Sequence, residues 1–276
     1  LKVALALCLL WLVHIVPAQG EERLWLRGDF VQGGLIVGET LPGTDLRLGE
    51  RTVRVGPDGV FLFGFGRDHG PSAVLSVTYP DGRRERRDLS IARRSYKVQR
   101  IEGLPRRMVT PPAEVLDRIR RENARIAEVR RRDTAEPFFA GGFVWPLIGT
   151  VTGVFGSQRV LNGKPRRPHY GIDIAGPSGA PVFAPSDALV AMAEPDLYFT
   201  GGTVMLDHGH GLTSVYSHLR DVSVKAGQRV RQGDVIGTVG STGRSTGPHL
   251  DWRFNWFDQR LDPALVAGPM PKSKTP

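Results

Sequence analysis

Cysteine is almost missing. The chain of 276 residues holds one, Cys8, inside an apolar stretch near its start. A disulfide within the chain and a zinc finger built on several thiolates are therefore excluded. If the leading stretch is removed, no thiol nucleophile remains. Long apolar runs are also scarce. The run from Val3 to Val16 falls short of the roughly 20 residues that span a bilayer comfortably. Acidic residues are the minority charge, 28 Asp+Glu against 37 Lys+Arg, giving +9. A basic excess suits anionic partners such as nucleic acid, anionic lipid or a wall polymer. There is no basic motif interleaved with aromatics of the RNA-binding kind. Missing too, beyond residue 141, is any long helical period.

What is there begins with the leader. Lys2, the apolar run, and then Pro17-Ala18-Gln19 give a charged n-region, an h-region and a small-residue cleavage site. Residues 1–18 are expected to be a signal peptide that sends the chain to the periplasm or cell envelope. An uncleaved signal anchor is the second reading, and the one route to a membrane. Export argues against nucleic acid as a partner.

The chain is expected to be mainly β. Residues 21–99 alternate apolar and polar in short runs such as Thr52-Val53-Arg54-Val55 and Val74 to Tyr79, separated by Pro57-Asp58-Gly59 and Pro80-Asp81-Gly82. That pattern predicts a small accessory β-sandwich. Residues 100–140 form a connector. In it Pro111-Pro112 opens a helix over about 113–132, with Val115, Ile119, Ile126 and Val129 near one stripe and Arg and Glu elsewhere. The basic face either packs as a linker or meets an anionic surface. Residues 141–267 are rich in Gly and Val and predict an antiparallel sheet folded into a groove. The tail, 268–276, is rich in Pro and Lys and is expected to be disordered.

The chemistry gathers in two places. Arg167-Pro168-His169-Tyr170-Gly171-Ile172-Asp173 gives H-x-x-x-D, and His249-Leu250-Asp251 gives H-x-D. Residues two or four apart on a strand share a face, so each pair would aim at one spot. His218 sits in another strand-like run, Val215 to Leu219. Imidazole and carboxylate together suit zinc, whose catalytic sites keep three protein ligands and an open position. Tyr216, two residues from His218, is either an added donor in the groove or core. Asn255 and Arg253 continue the face of Asp251 and are candidates to line the substrate groove. Arg167 ends a basic loop, Asn162 to Arg167, that is a candidate for one groove wall. His208 is a candidate for a partner behind a metal ligand, and His210 is expected at the surface.

The flanks of these residues, "RRPHYGIDIAGPSGAPVFAPSDALV", "GGTVMLDHGHGLTSVYSHL" and "VKAGQRVRQGDVIGTVGSTGRSTGPHLDW", resemble the lysostaphin-like (LytM-type) zinc peptidases, which are cell-wall endopeptidases. The resemblance covers about residues 141–267. It implies a zinc metalloendopeptidase that cleaves peptide cross-links of peptidoglycan, with one Zn²⁺ per chain, held by His169, Asp173 and a third ligand. It also implies that His218 and His249 act beside the metal as base and transition-state stabiliser, without saying which is which. The third ligand of the family is the second His of H-x-H; here it is Asp251. Some proteins resembling this family bind and activate cell-wall amidases instead, so an amidase or another division protein is the alternative partner.

Aspartate for histidine changes the charge. Two His and one Asp leave Zn²⁺ at +1, whereas one His and two Asp leave it neutral. A neutral centre acidifies water less, so an alkaline activity optimum is expected. Mn²⁺ also gains ground at a carboxylate-rich site.

Overall fold

A computed structural model of the chain describes residues 23–104 and 106–272. The expected signal peptide and the last four residues of the tail lie outside the described residues. Among the described residues, no helix is long and apolar enough to cross a membrane.

The first unit is the expected sandwich. Its strands are β1 (Leu24–Gly28), β2 (Leu35–Thr40), β3 (Asp45–Leu48), β4 (Arg51–Val53), β5 (Val60–Gly64), β6 (Ser72–Thr78) and β7 (Arg84–Ser90). They form two antiparallel sheets, ordered β1-β2-β5 and β4-β3-β6-β7. Buried Leu24, Ile36, Leu46, Phe61, Phe63 and Leu75 fill the space between them, as alternating inward residues should. Then come β8 (Val98–Ile101), the short helix α1 (Arg106–Val109) and the helix α2 (Leu116–Val129). Arg118 ties α2 to Asp196 at 3.0 Å.

The second unit contains β9 (Val151–Gly153), β10 (Gln158–Leu161), β11 (Lys164–Pro165), β12 (Ile172–Ala175), β13 (Pro181–Phe183), β14 (Ala188–Leu197), β15 (Gly201–Asp207), β16 (Leu212–Leu219), β17 (Asp221–Val222), β18 (Arg229–Val230), β19 (Val235–Thr238), β20 (His249–Trp256), β21 (Gln259–Leu261) and the helix α3 (Pro263–Ala267). Its main sheet runs β18-β14-β15-β16-β20-β12-β9, with β21 beside β20. Every pairing in it is antiparallel.

This sheet has two differently used faces. Tyr216 pairs with Trp252 and Ser214 with Phe254 across β16 and β20, and these four are buried in the face towards the main core. The opposite face carries Ser217 beside Asp251 and Val215 beside Arg253. On that second face α2 lays Ile126 and Val129 against Met192, Met205 and Val215, so its apolar stripe packs on the sheet. The connector is not plain coil: β8 pairs in parallel with β10, Val98 opposite Gln158.

Apolar contact is continuous between the units, from Phe61 and Leu62 to Phe254 and Leu261. Arg94 also reaches buried Asp262 at 2.8 Å. The beginning of the expected disordered tail is attached. Trp145 Nε1 donates to the Gly268 carbonyl at 3.0 Å, and Met270 packs on the core.

Candidate metal centre

Strands β12 and β20 set two carboxylates side by side, because Asp173 is the cross-strand partner of Asp251. Like charges in that position repel unless something of opposite sign intervenes. His169 completes the group, although not from a strand as the spacing suggested. Strand β12 starts at Ile172, so His169 reaches in from the preceding loop. That loop is pinned by the His169 N–H to the Ser157 carbonyl at 2.8 Å and the Gly156 N–H to the His169 carbonyl at 2.7 Å. One ligating atom from each of His169, Asp173 and Asp251 lies within 4.8 Å of the other two. All three residues are buried.

The donor set fits a divalent cation. His169 Nε2 and Asp173 Oδ1 are 3.1 Å apart, and apart from this contact neither buried atom has a hydrogen-bond partner among the described residues. Orphaned buried polar atoms are rare and costly, and a cation between them would satisfy both. Asp173 uses its other oxygen, Oδ2, to accept from Arg159 Nη2 at 3.0 Å. The approach is tight: a β-carbon on Gly153 would stand 2.1 Å from Asp173 Oδ2. Burial pushes the Asp173 carboxyl up, but His169 and Arg159 outweigh it, and on balance it is lowered.

His218 and His249 stand next to this group with ring centroids 4.8 Å apart, and His249 Nε2 is 3.8 Å from Asp173 Oδ1. His218 Nδ1 faces the Thr242 carbonyl at 2.7 Å, and His249 Nδ1 faces the Gly247 carbonyl at 2.8 Å. A ring nitrogen facing a carbonyl must carry the proton. In that tautomer each ring presents its Nε2 away from the carbonyl. Burial pushes the His218 pKa down to about 4. A cavity of about 390 Å³ opens over the group, walled by Leu161 of β10, Ile101 of β8 and Leu104, with Arg159 and Arg244 among its lining.

Several expected residues take other places. Tyr216 lies on the opposite sheet face, fully buried, its hydroxyl 2.8 Å from Ser214 Oγ. It is core and not groove, because a bulge separates it from His218. Gly202 pairs with Leu219 but Val204 with Tyr216, so β16 carries one extra residue there. His218 takes a φ of 66°, and the two-residue alternation breaks. His208 is on the core side as well, with Nε2 2.8 Å from Ser214 Oγ and Nδ1 3.1 Å from the Asp187 carbonyl; it backs no ligand. His210 is buried rather than at the surface, with Nε2 3.0 Å from the Ala135 carbonyl.

Asn255 is on the face of Asp251 but is buried under it, taking Arg260 Nη1 at 2.5 Å; it lines no groove. Arg167 is exposed and outside the cavity. The wall comes instead from β10, since Asn162 and Gly163, with φ of 47° and 74°, turn the expected loop into a hairpin. Arg253 is not a groove residue either. Its Nε donates to Asp251 Oδ1 at 2.8 Å, and its Nη2 bonds Oδ2. Burial pushes the Asp251 carboxyl up, but the Arg253 guanidinium outweighs this and holds it well below the usual carboxylate range.

Sequence reasoning missed Arg159 and Arg244. A signal existed for the first: Gly156-Ser157-Gln158-Arg159 is a turn leading into a strand, and a residue there faces either solvent or the site.

Peptidase family M23 matches residues 167–263. A crystal structure of a Pseudomonas aeruginosa protein assigned to peptidase M23 is 30% identical with a TM-score of 0.66, covering 86% of this chain and 95% of that one. The DD-carboxypeptidase/endopeptidase Mpg of Neisseria meningitidis is 40% identical over 134 residues, 48% of this chain and 31% of that protein. The peptidoglycan DD-endopeptidase ShyC of Vibrio cholerae is 38% identical over 107 residues, 39% of this chain and 24% of that protein. The chain thus spans about a third or less of the length of these curated relatives.

Proposed function

This chain belongs to peptidase family M23, and from that premise we propose that it is an exported zinc-dependent endopeptidase that cleaves peptide cross-links of peptidoglycan. The observation that carries the reading is the pair of buried atoms His169 Nε2 and Asp173 Oδ1, which have no polar partner but each other, facing Asp251 and standing beside two imidazoles whose Nδ1 atoms are turned to carbonyls. The named activities of Mpg and ShyC supply the substrate class.

His169, Asp173 and Asp251 would hold the metal. A zinc ion bound there supplies Lewis-acid polarisation of the scissile carbonyl and water activated near neutral pH. The chain's own residues handle protons and position. Either His218 Nε2 or His249 Nε2 takes the proton of the attacking water. The ring that has taken it becomes an N–H donor, able to face the developing oxyanion and then protonate the leaving amine. The carbonyls of Thr242 and Gly247 fix both rings in the tautomer this needs. Burial of His218 keeps it neutral, and so a base, at the start.

The test uses the full chain. Zinc content and release of muropeptides from purified peptidoglycan are measured for the parent and for Asp173→Asn. The parent is expected to carry zinc and digest the wall, and the variant to lose both. A parent that binds no zinc and releases nothing overturns the reading and favours an amidase-activating adaptor.

A further inference from the structure

We propose that Asp251 and Arg253 act as one electrically neutral ligand unit, with the guanidinium cancelling the extra negative charge that aspartate brings to a position where histidine is the family pattern. The inference rests on the zinc-peptidase reading above and deepens it. It also replaces the sequence-based expectation of a neutral metal centre.

The geometry is specific. Asp251 and Arg253 are two apart on β20 and so share a face. The fork engages both carboxylate oxygens, Nε on Oδ1 at 2.8 Å and Nη2 on Oδ2. Such paired contacts are the strongest class of charge-assisted hydrogen bond. The side chain of Asp251 is only 2% exposed and that of Arg253 23%, so solvent does little to weaken the pair. Room for it is made by the H-x-x-x-D loop itself. A β-carbon on Gly171 would meet Arg253 Cγ at 2.5 Å and Asp251 Oδ1 at 2.9 Å.

A fork uses one lone pair on each oxygen, and a carboxylate offers about four acceptor sites. Asp251 can therefore keep Arg253 and still present an oxygen to the metal. The charges then follow. A divalent cation with Asp173 and Asp251 sums to zero. Arg253, protonated at any working pH, returns the sum to the +1 of a His, Asp and His set. Arg159, on Asp173 through one oxygen, adds the same charge whichever residue stands at position 251 and so leaves this comparison unchanged.

This assigns a cost to the obvious repair. Asp251→His restores the family ligand but leaves Arg253 a half-buried cation next to the metal with no paired carboxylate. Changing both residues removes the conflict. Zinc affinity, read by competition with a chromophoric chelator on the full chain, distinguishes the cases. Asp251→His/Arg253→Gln is expected to bind zinc at least tenfold more tightly than Asp251→His alone. A double variant no tighter than the single one overturns the proposal.

Should Asp251→His not fold, Arg253→Gln alone carries the test. It binds zinc more tightly than the parent if Arg253 acts by its charge. It binds more weakly if Arg253 only orients the carboxylate, as partners behind metal ligands commonly do, and that result overturns the proposal. A parent that takes up no zinc overturns the peptidase reading together with this one, whereas a failed difference between variants overturns this one alone.

Discussion

His218 holds its ring over the site from a backbone conformation that costs a residue with a β-carbon about 1–2 kcal/mol. Its φ is 66°, and the bulge that imposes it turns the side chain away from the core-facing direction of Tyr216. That strain is sustained by fixed contacts, the His218 N–H to the Thr200 carbonyl at 2.7 Å and Nδ1 to Thr242. The ring is not among the three residues proposed to hold the metal. His218→Ala is therefore expected to keep its zinc while turnover falls by about 10²–10⁴-fold, the usual share of a proton-transferring group. Metal analysis beside a muropeptide assay checks this, and loss of zinc would move His218 into the ligand set. At this scale the sequence was informative where chemistry is local. His169, Asp173 and Asp251 converge as their spacing and flanks implied. At Tyr216 the pattern leaves groove and core both open, because alternation presumes a regular pleat and no glycine marks the bulge; the structure puts the residue in the core. Arg253 differs for another reason: its place on the face of Asp251 makes it a groove candidate, but the side chain pairs with that carboxylate two positions away on the same strand.

Elements bring these residues together, and one pairing was not visible in the chain. Turn signals located most strands, since Pro, Asp and Gly interrupt β runs for steric reasons that sequence displays. Strand β8 had no such mark. It lies where a plain connector was expected, and its partner β10 is far along the chain. Yet this pairing builds the cavity wall, with Ile101 and Leu104 on one side and Leu161 on the other. Asn162 locks the arrangement. Its Oδ1 accepts from the Leu104 N–H at 3.1 Å, and its Nδ2 donates to the Leu104 carbonyl at 2.7 Å. Asn162→Gly keeps the left-handed turn and removes both bonds. A loss of roughly 1–3 kcal/mol is expected, from two hydrogen bonds at about 1 kcal/mol each. The denaturant midpoint should fall with an unchanged slope, and KM for wall fragments should rise more than kcat falls. An unchanged midpoint and KM would mean that the connector stands beside the cavity without shaping it.

For the whole molecule, the continuous core and the Arg94–Asp262 bridge tie the sandwich to the sheet, so titration of buried groups should be felt as stability of one body. Burial pushes the His208 pKa down to about 4 and lowers that of His210 as well. In an unfolded chain each would titrate near 6.5. Above that pH both states hold neutral rings, and the groups contribute no pH dependence. Below it the unfolded state takes up protons that the folded state refuses, so stability falls as pH falls. For His208 the loss is on the order of 1 kcal/mol per pH unit, continuing until its folded pKa near 4 is reached. The lowered carboxylates Asp173 and Asp251 act in a different window. Their contribution is complete above the ordinary value of 3.8 and is lost only below it. The interval between pH 6.5 and 4.5 therefore belongs to the buried histidines, His218 included, since burial pushes its pKa down to about 4 as well. Denaturant unfolding at pH 8, 7.5 and 5 should give nearly equal stability at the first two and a clear drop at the third. His208→Asn should be less stable at pH 8 but show a flatter drop. A parent equally stable at pH 8 and 5 would mean that these rings take up protons without cost, and the packing of His208 between Ser214 and the Asp187 carbonyl would then have to be looser than its contacts require.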